Sequence, residues 1–213
     1  MTESITPLAP KVRDLLGPKP IIPVLVIDKI EDAVPLCEAL AEGGLTAVEI
    51  TLRTPIALDL VAALRKELPD LCIGVGTVLN LSDAKRAEQA GAQFLVSPGI
   101  IPDLLSSTDS KLPYLPGVAT ASEMMAVLAS GRTEAKLFPA AAVGGVQLLK
   151  AINSPLSALH FCPTGGIDQN TYQDYLPLAN VFAVGGSWMA PEYLIADKAW
   201  QEITALCRQI GEK

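Results

Sequence analysis

No apolar run in this 213-residue chain approaches the ~20 residues that would span a bilayer, so no membrane helix is expected. Cysteine is sparse. Cys37, Cys72, Cys162 and Cys207 lie far apart and form no CxxC pair, which speaks against a zinc ribbon or a thioredoxin-type site and for reduced core residues. The single histidine, His160, cannot supply the several imidazoles that most catalytic zinc sites use, and it reads as a packing or surface residue. Positive charge is also short: 16 Lys and Arg against 23 Asp and Glu give a net charge of -7, which disfavours a nucleic-acid surface while leaving room for a local anion site. The N-terminal MTESITPLAPKVRDLL carries acids and lacks the apolar segment of a secretory signal, so a soluble cytoplasmic protein is expected.

Hydrophobic residues, by contrast, are abundant. They make up 50% of the chain, charged residues only 18%, and the mean hydropathy is +0.36, so much apolar surface must be buried, within the chain or between subunits. The length suits one domain, residues 1–213.

Eight short β-rich runs recur, from Ile21, Ala47, Leu71, Gln93, Pro113, Glu134, Leu159 and Asn180. Between them lie segments with helical apolar spacing, such as EDAVPLCEALAEGG, TPIALDLVAALRKELPD and SEMMAVLASG, which mostly stop at Gly or Pro. Met124 and Met125 of the last read as helix core, and Trp188 and Trp200 as core or interface residues. This alternation means parallel strands with crossover helices, and eight units of this spacing predict an α/β fold, a compact (β/α)8 TIM barrel. A doubly wound open sheet is the alternative. Residues 1–20 are expected to add an N-terminal helical extension under the barrel.

In such barrels chemistry gathers at the C-terminal strand ends. Side chains alternate along a strand, so Glu49, Thr51 and Arg53 share one face, and Lys136 shares another with Phe138. Both polar faces must point inward. A buried lysine either finds a carboxylate or loses its proton, so the motif EAKLFPA permits two readings: a structural ion pair with Glu49, or an amine nucleophile with Glu49 as its proton shuttle. Ser97-Pro98-Gly99 ends the fourth run. PTGGI and VGGSW end the seventh and eighth runs, where paired glycines can surround an anion with backbone N–H groups and where Thr164 and Ser187 add hydroxyls.

Taken in order, VEITLRT, GVGTVLN, AGAQFLVSPG, PGVATASE, KLFPA, FCPTGGI and GGSW resemble the 2-keto-3-deoxy-6-phosphogluconate (KDPG) and 4-hydroxy-2-oxoglutarate (KHG) aldolases. The resemblance implies a class I aldolase that needs no metal or other cofactor, with the imine forming on Lys136 and Glu49 shuttling protons. It places the substrate carboxylate on Arg53 and lines the keto-acid pocket with Thr77. The expected substrate-binding set is Arg53, Thr77, Pro98, Phe138 and Thr164, and the phosphate-binding set is Gly165, Gly166, Gly185, Gly186 and Ser187. A keto-acid phosphate is the implied small-molecule partner, with no nucleic acid or membrane, and a homotrimer the implied assembly. Ala141 and Ala119 depart from the family pattern without removing a catalytic group. A phosphosugar-binding barrel without turnover is the alternative function.

Overall fold

The computed structural model describes residues 11–106 and 112–211. Its strands are β1 (Ile21–Leu25), β2 (Ala47–Thr51), β3 (Cys72–Gly76), β4 (Phe94–Val96), β5 (Tyr114–Leu115), β6 (Gly117–Val118), β7 (Glu134–Leu137), β8 (His160–Pro163) and β9 (Val184–Gly186). The helices are α1 (Ile30–Glu42), α2 (Ala57–Glu67), α3 (Leu81–Gln89), α4 (Pro102–Ser106), α5 (Ala121–Ala129), α6 (Gly145–Asn153), α7 (Tyr172–Tyr175), α8 (Glu192–Ala196) and α9 (Trp200–Arg208).

Every strand pairing is parallel. One sheet runs β5-β4-β3-β2-β1-β9 and the other β6-β7-β8. Neighbours follow chain order with no reversal, as a doubly wound sheet would not. The fold is a curled, barrel-like parallel α/β sheet. The fifth predicted run is split: Pro116 has no N–H to give the ladder, so two-residue strands flank it. The second sheet meets the segment leading to β9 through the isolated bridges Phe161↔Val181 and Thr164↔Gly185.

Burial follows the period of two. Ile22, Ala47, Cys72, Phe94, Val96, Leu115, Cys162 and Ala183 form one cluster on the inner face, while Ile21, Val48, Ile50, Ile73, Val75, Leu95 and Phe161 pack outward under the helices. Gly74 makes room for the inner cluster, since a Cβ there would lie 2.2 Å from the Phe94 ring. Beneath the inner cluster a 3₁₀ turn, Val12–Leu15, buries Val12. The Val12 N–H donates to Glu134 Oε2 at 2.8 Å, Arg13 pairs with the same carboxylate, and its guanidinium lies 5.3 Å over the Phe182 ring. The first half of the expected N-terminal extension, residues 1–10, lies outside the described residues.

All four cysteines are free and buried. Met124 is core, but Met125 is 59% exposed: adjacent helical residues point about 100° apart, so the two methionines cannot share the buried stripe. Trp188 and Trp200 are half-buried, and Trp188 stacks on Tyr172 with ring centroids 5.5 Å apart. No helix among the described residues is long and apolar enough to cross a membrane.

Candidate active site

Alternation along β2 and β7 turns Glu49 and Lys136 into the same interior. They are 3% and 5% exposed, and Lys136 Nζ lies 3.1 and 3.3 Å from the two Glu49 carboxylate oxygens. Glu49 thus pairs with Lys136 and not with Arg53, which shares its strand face. Arg53 stands at the exposed end of β2 and makes no ion pair among the described residues. Thr51, on the same face, is buried and satisfied, its hydroxyl donating to the Leu25 carbonyl at 2.9 Å. The Phe138 ring centroid is 5.3 Å from Lys136 Nζ, as the i, i+2 spacing requires.

Two neighbours explain how so polar a pair is accommodated. Gly76 pairs in register with Thr51, and a Cβ on it would lie 2.0 Å from Glu49 Oε1. The missing side chain is therefore the space that Glu49 occupies. Cys162 stands opposite Lys136 in the β7–β8 register; burial pushes its thiol up to about 12, with the nearby lysine acting in the opposite sense, so Cys162 is a neutral wall residue.

At the C-terminal ends of the strands lies a cavity of about 430 Å³. Arg53, Phe138, Thr164, Gly165, Gly166, Gly186 and Ser187 line it, which unites seven of the residues singled out in the sequence. Gly165 and Gly166 have φ of 98° and 72°, a left-handed conformation that glycine adopts without penalty and that leaves their backbone uncovered toward the cavity. Gly185 is buried in β9 and is not part of the lining. Its bare Cα instead admits Thr164, whose Oγ1 would lie 2.3 Å from an added Cβ.

Two other predicted residues sit elsewhere. Thr77 lines an adjoining recess of about 300 Å³, which also borders Arg53, and it holds φ at 59°, unusual and strained for a β-branched residue. Pro98 is exposed and lines neither space. Glu192 was not singled out in the sequence, yet it lines the main cavity; its position five residues after Ser187, at the start of α8, was the available signal.

His160 opens β8 at the opposite end of the strands, with its basicity lowered by burial and by nearby Arg13. A larger cavity, about 530 Å³, is lined by four carboxamide side chains, Tyr172, Trp188 and two aliphatic residues. It holds no carboxylate or amine, so chemistry rather than size picks out the site. Among the described residues no group of three or more His, Cys, Asp or Glu is clustered so as to hold a metal ion.

The family model for KDPG and KHG aldolase matches residues 12–206. The KHG/KDPG aldolase of Escherichia coli K12 is 44% identical over 199 residues, 93% of each chain. Among solved structures, the KDPG aldolase of Legionella pneumophila, with pyruvate captured as a covalent carbinolamine intermediate, is 46% identical with a TM-score of 0.88, covering 90% of this chain and 94% of its own. The KDPG aldolase of Zymomonas mobilis ZM4 with 3-phosphoglycerate is 41% identical with a TM-score of 0.82, covering 92% of each chain. With residues 12–206 matched by the family model and relatives 44% identical over nearly its whole length, the chain belongs to the KDPG and KHG aldolase family.

Proposed function

We propose that this chain is a metal-independent class I aldolase that cleaves 2-keto-3-deoxy-6-phosphogluconate to pyruvate and glyceraldehyde 3-phosphate, and 4-hydroxy-2-oxoglutarate to pyruvate and glyoxylate. The observation that carries this reading is the buried contact between Lys136 and Glu49 beside a strand-end cavity. Glu49 takes the proton that the lysine must lose before it attacks. The neutral amine adds to the C2 carbonyl, and Glu49 gives its proton to the carbinolamine hydroxyl, which leaves as water, so that a protonated imine forms and the carboxylate is free again. Glu49 then accepts the C4 hydroxyl proton, directly or through a water. As C4 becomes the aldehyde carbonyl, the electron pair of the C3–C4 bond moves into the imine, leaving an enamine on Lys136. Glu49 returns a proton to C3, and water releases pyruvate and the free amine.

Arg53 holds the C1 carboxylate with its planar fork of donors, within reach of the recess that Thr77 lines. Gly165, Gly166, Gly186, Ser187 and Thr164 hold the distal phosphate, with Gly185 contributing by seating Thr164. Phe138 forms the wall beside the imine, and family resemblance keeps Pro98, exposed just after β4, in the substrate-binding set. Lys136 reaches the cavity through Phe138, which lines it 5.3 Å from the lysine Nζ, and relatives named as aldolases favour turnover over a binding protein without it.

The same reading treats β5 and β6 as one strand across Pro116, which makes the two sheets a closed (β/α)8 barrel. Family resemblance supports a homotrimer and a cytoplasmic location. The test is turnover of the purified protein on both keto acids, followed by coupled reduction of the pyruvate formed. Pyruvate release from KDPG that persists in a chelator is expected; release from neither substrate overturns the reading.

A further inference from the structure

We propose that Glu192 is a specificity-determining residue that weakens the cavity's hold on a dianionic distal group, and so narrows the preference for phosphorylated over unphosphorylated 2-keto-3-deoxy acids. The inference deepens the aldolase reading and rests on it.

The cavity lining contains two formally charged side chains, Arg53 and Glu192. Arg53 is committed to the C1 carboxylate. What remains for the phosphate is neutral: backbone N–H groups of Gly165, Gly166 and Gly186 and the hydroxyls of Thr164 and Ser187. Dipoles can hold a phosphate without a lysine or arginine, but a fixed carboxylate on the same wall then acts against them uncompensated. Glu192 is exposed and forms no ion pair among the described residues, and Arg53, the other charged residue of the lining, is engaged by the C1 carboxylate, so no ion-paired cation cancels its charge.

Its position is fixed by the chain that follows the phosphate loop. The Ala190 N–H donates to the Ser187 carbonyl at 3.0 Å and the Leu194 N–H to the Pro191 carbonyl at 3.0 Å, so a tight turn carries Glu192 from Ser187 onto the cavity wall. A sphere of the cavity's volume is about 9 Å across, close to the ~8 Å Debye length at physiological salt, so the repulsion is felt throughout the cavity and remains salt-sensitive. The carboxylate acts most on the most highly charged ligand. Phosphate is penalised, and a distal hydroxyl is not.

The experiment measures kcat/KM for wild type, Glu192→Gln and Glu192→Lys on 2-keto-3-deoxy-6-phosphogluconate and on 2-keto-3-deoxygluconate, the same skeleton without phosphate. Removing the charge is expected to raise the phosphorylated-to-unphosphorylated ratio roughly threefold to tenfold, mainly through KM. Glu192→Lys is expected to raise it further, and both gains should shrink as salt approaches about 1 M. A purely structural role would move both substrates together. An unchanged ratio, or a gain indifferent to salt, overturns the proposal and leaves the aldolase reading intact. A wild type that cleaves neither keto acid removes both.

Discussion

Glu134 and Lys136 lie two residues apart on the inner face of β7, each 5% exposed, yet their surroundings differ. Glu134 is held by the Val12 N–H and by Arg13, whose own charge is covered by the Phe182 ring. Lys136 meets another buried side chain, Glu49, below the strand-end cavity. Burial of charge therefore does not distinguish a structural lock from a reactive group. What separates them is whether the partner is part of the frame, as a backbone N–H is, or an acid able to take up and return a proton next to a space for substrate.

Substitutions at the two ends of this comparison should fail in different ways. The largest effect is expected from Lys136→Met, which keeps the stem and removes the amine: cleavage should fall by several orders of magnitude with the fold intact by circular dichroism. Lys136 would move to the structural side of the comparison if that variant unfolded while its folded fraction kept its turnover. Glu49→Gln preserves shape and removes the proton acceptor, so kcat should drop by about 10²- to 10⁴-fold in a direct pyruvate-release assay. Gly76→Ala is subtler. The new methyl must displace the Glu49 carboxylate, and kcat should fall on the order of 10²-fold while Lys136 itself remains in place. At the other end, Glu134→Gln should cost roughly 1–3 kcal/mol of stability through weakened charge-assisted hydrogen bonds, read by urea unfolding, with kcat per folded molecule retained.

Much of this was legible in the sequence because it depends on short-range periodicity. Strand alternation alone puts Glu49 and Lys136 on inner faces, and the strand-end rule gathers Arg53, Phe138, Thr164 and the glycine pairs. The lock on Glu134 was not legible: its partners lie 121 and 122 residues away, and nothing local marks Val12 or Arg13 as its anchors. Thr77 was found, but its place in an adjoining recess follows from a left-handed backbone that no propensity for threonine suggests. Pro98 follows β4 and is exposed, lining neither of the two spaces, a detail that the strand-end rule does not resolve. Glu192 carries no signal of its own in the sequence, and Gly76 no more than its place at a strand end. One is an ordinary-looking first-turn acid, and the other matters through the side chain it lacks.

Incubation with pyruvate and sodium borohydride, followed by intact mass and peptide mapping, tests most directly whether Lys136 is the reactive member of this pair. The account predicts one reduced pyruvate adduct per chain, located on Lys136 and absent from Lys136→Met. An unmodified protein, or an adduct on another lysine, under conditions that label a known class I aldolase would contradict it.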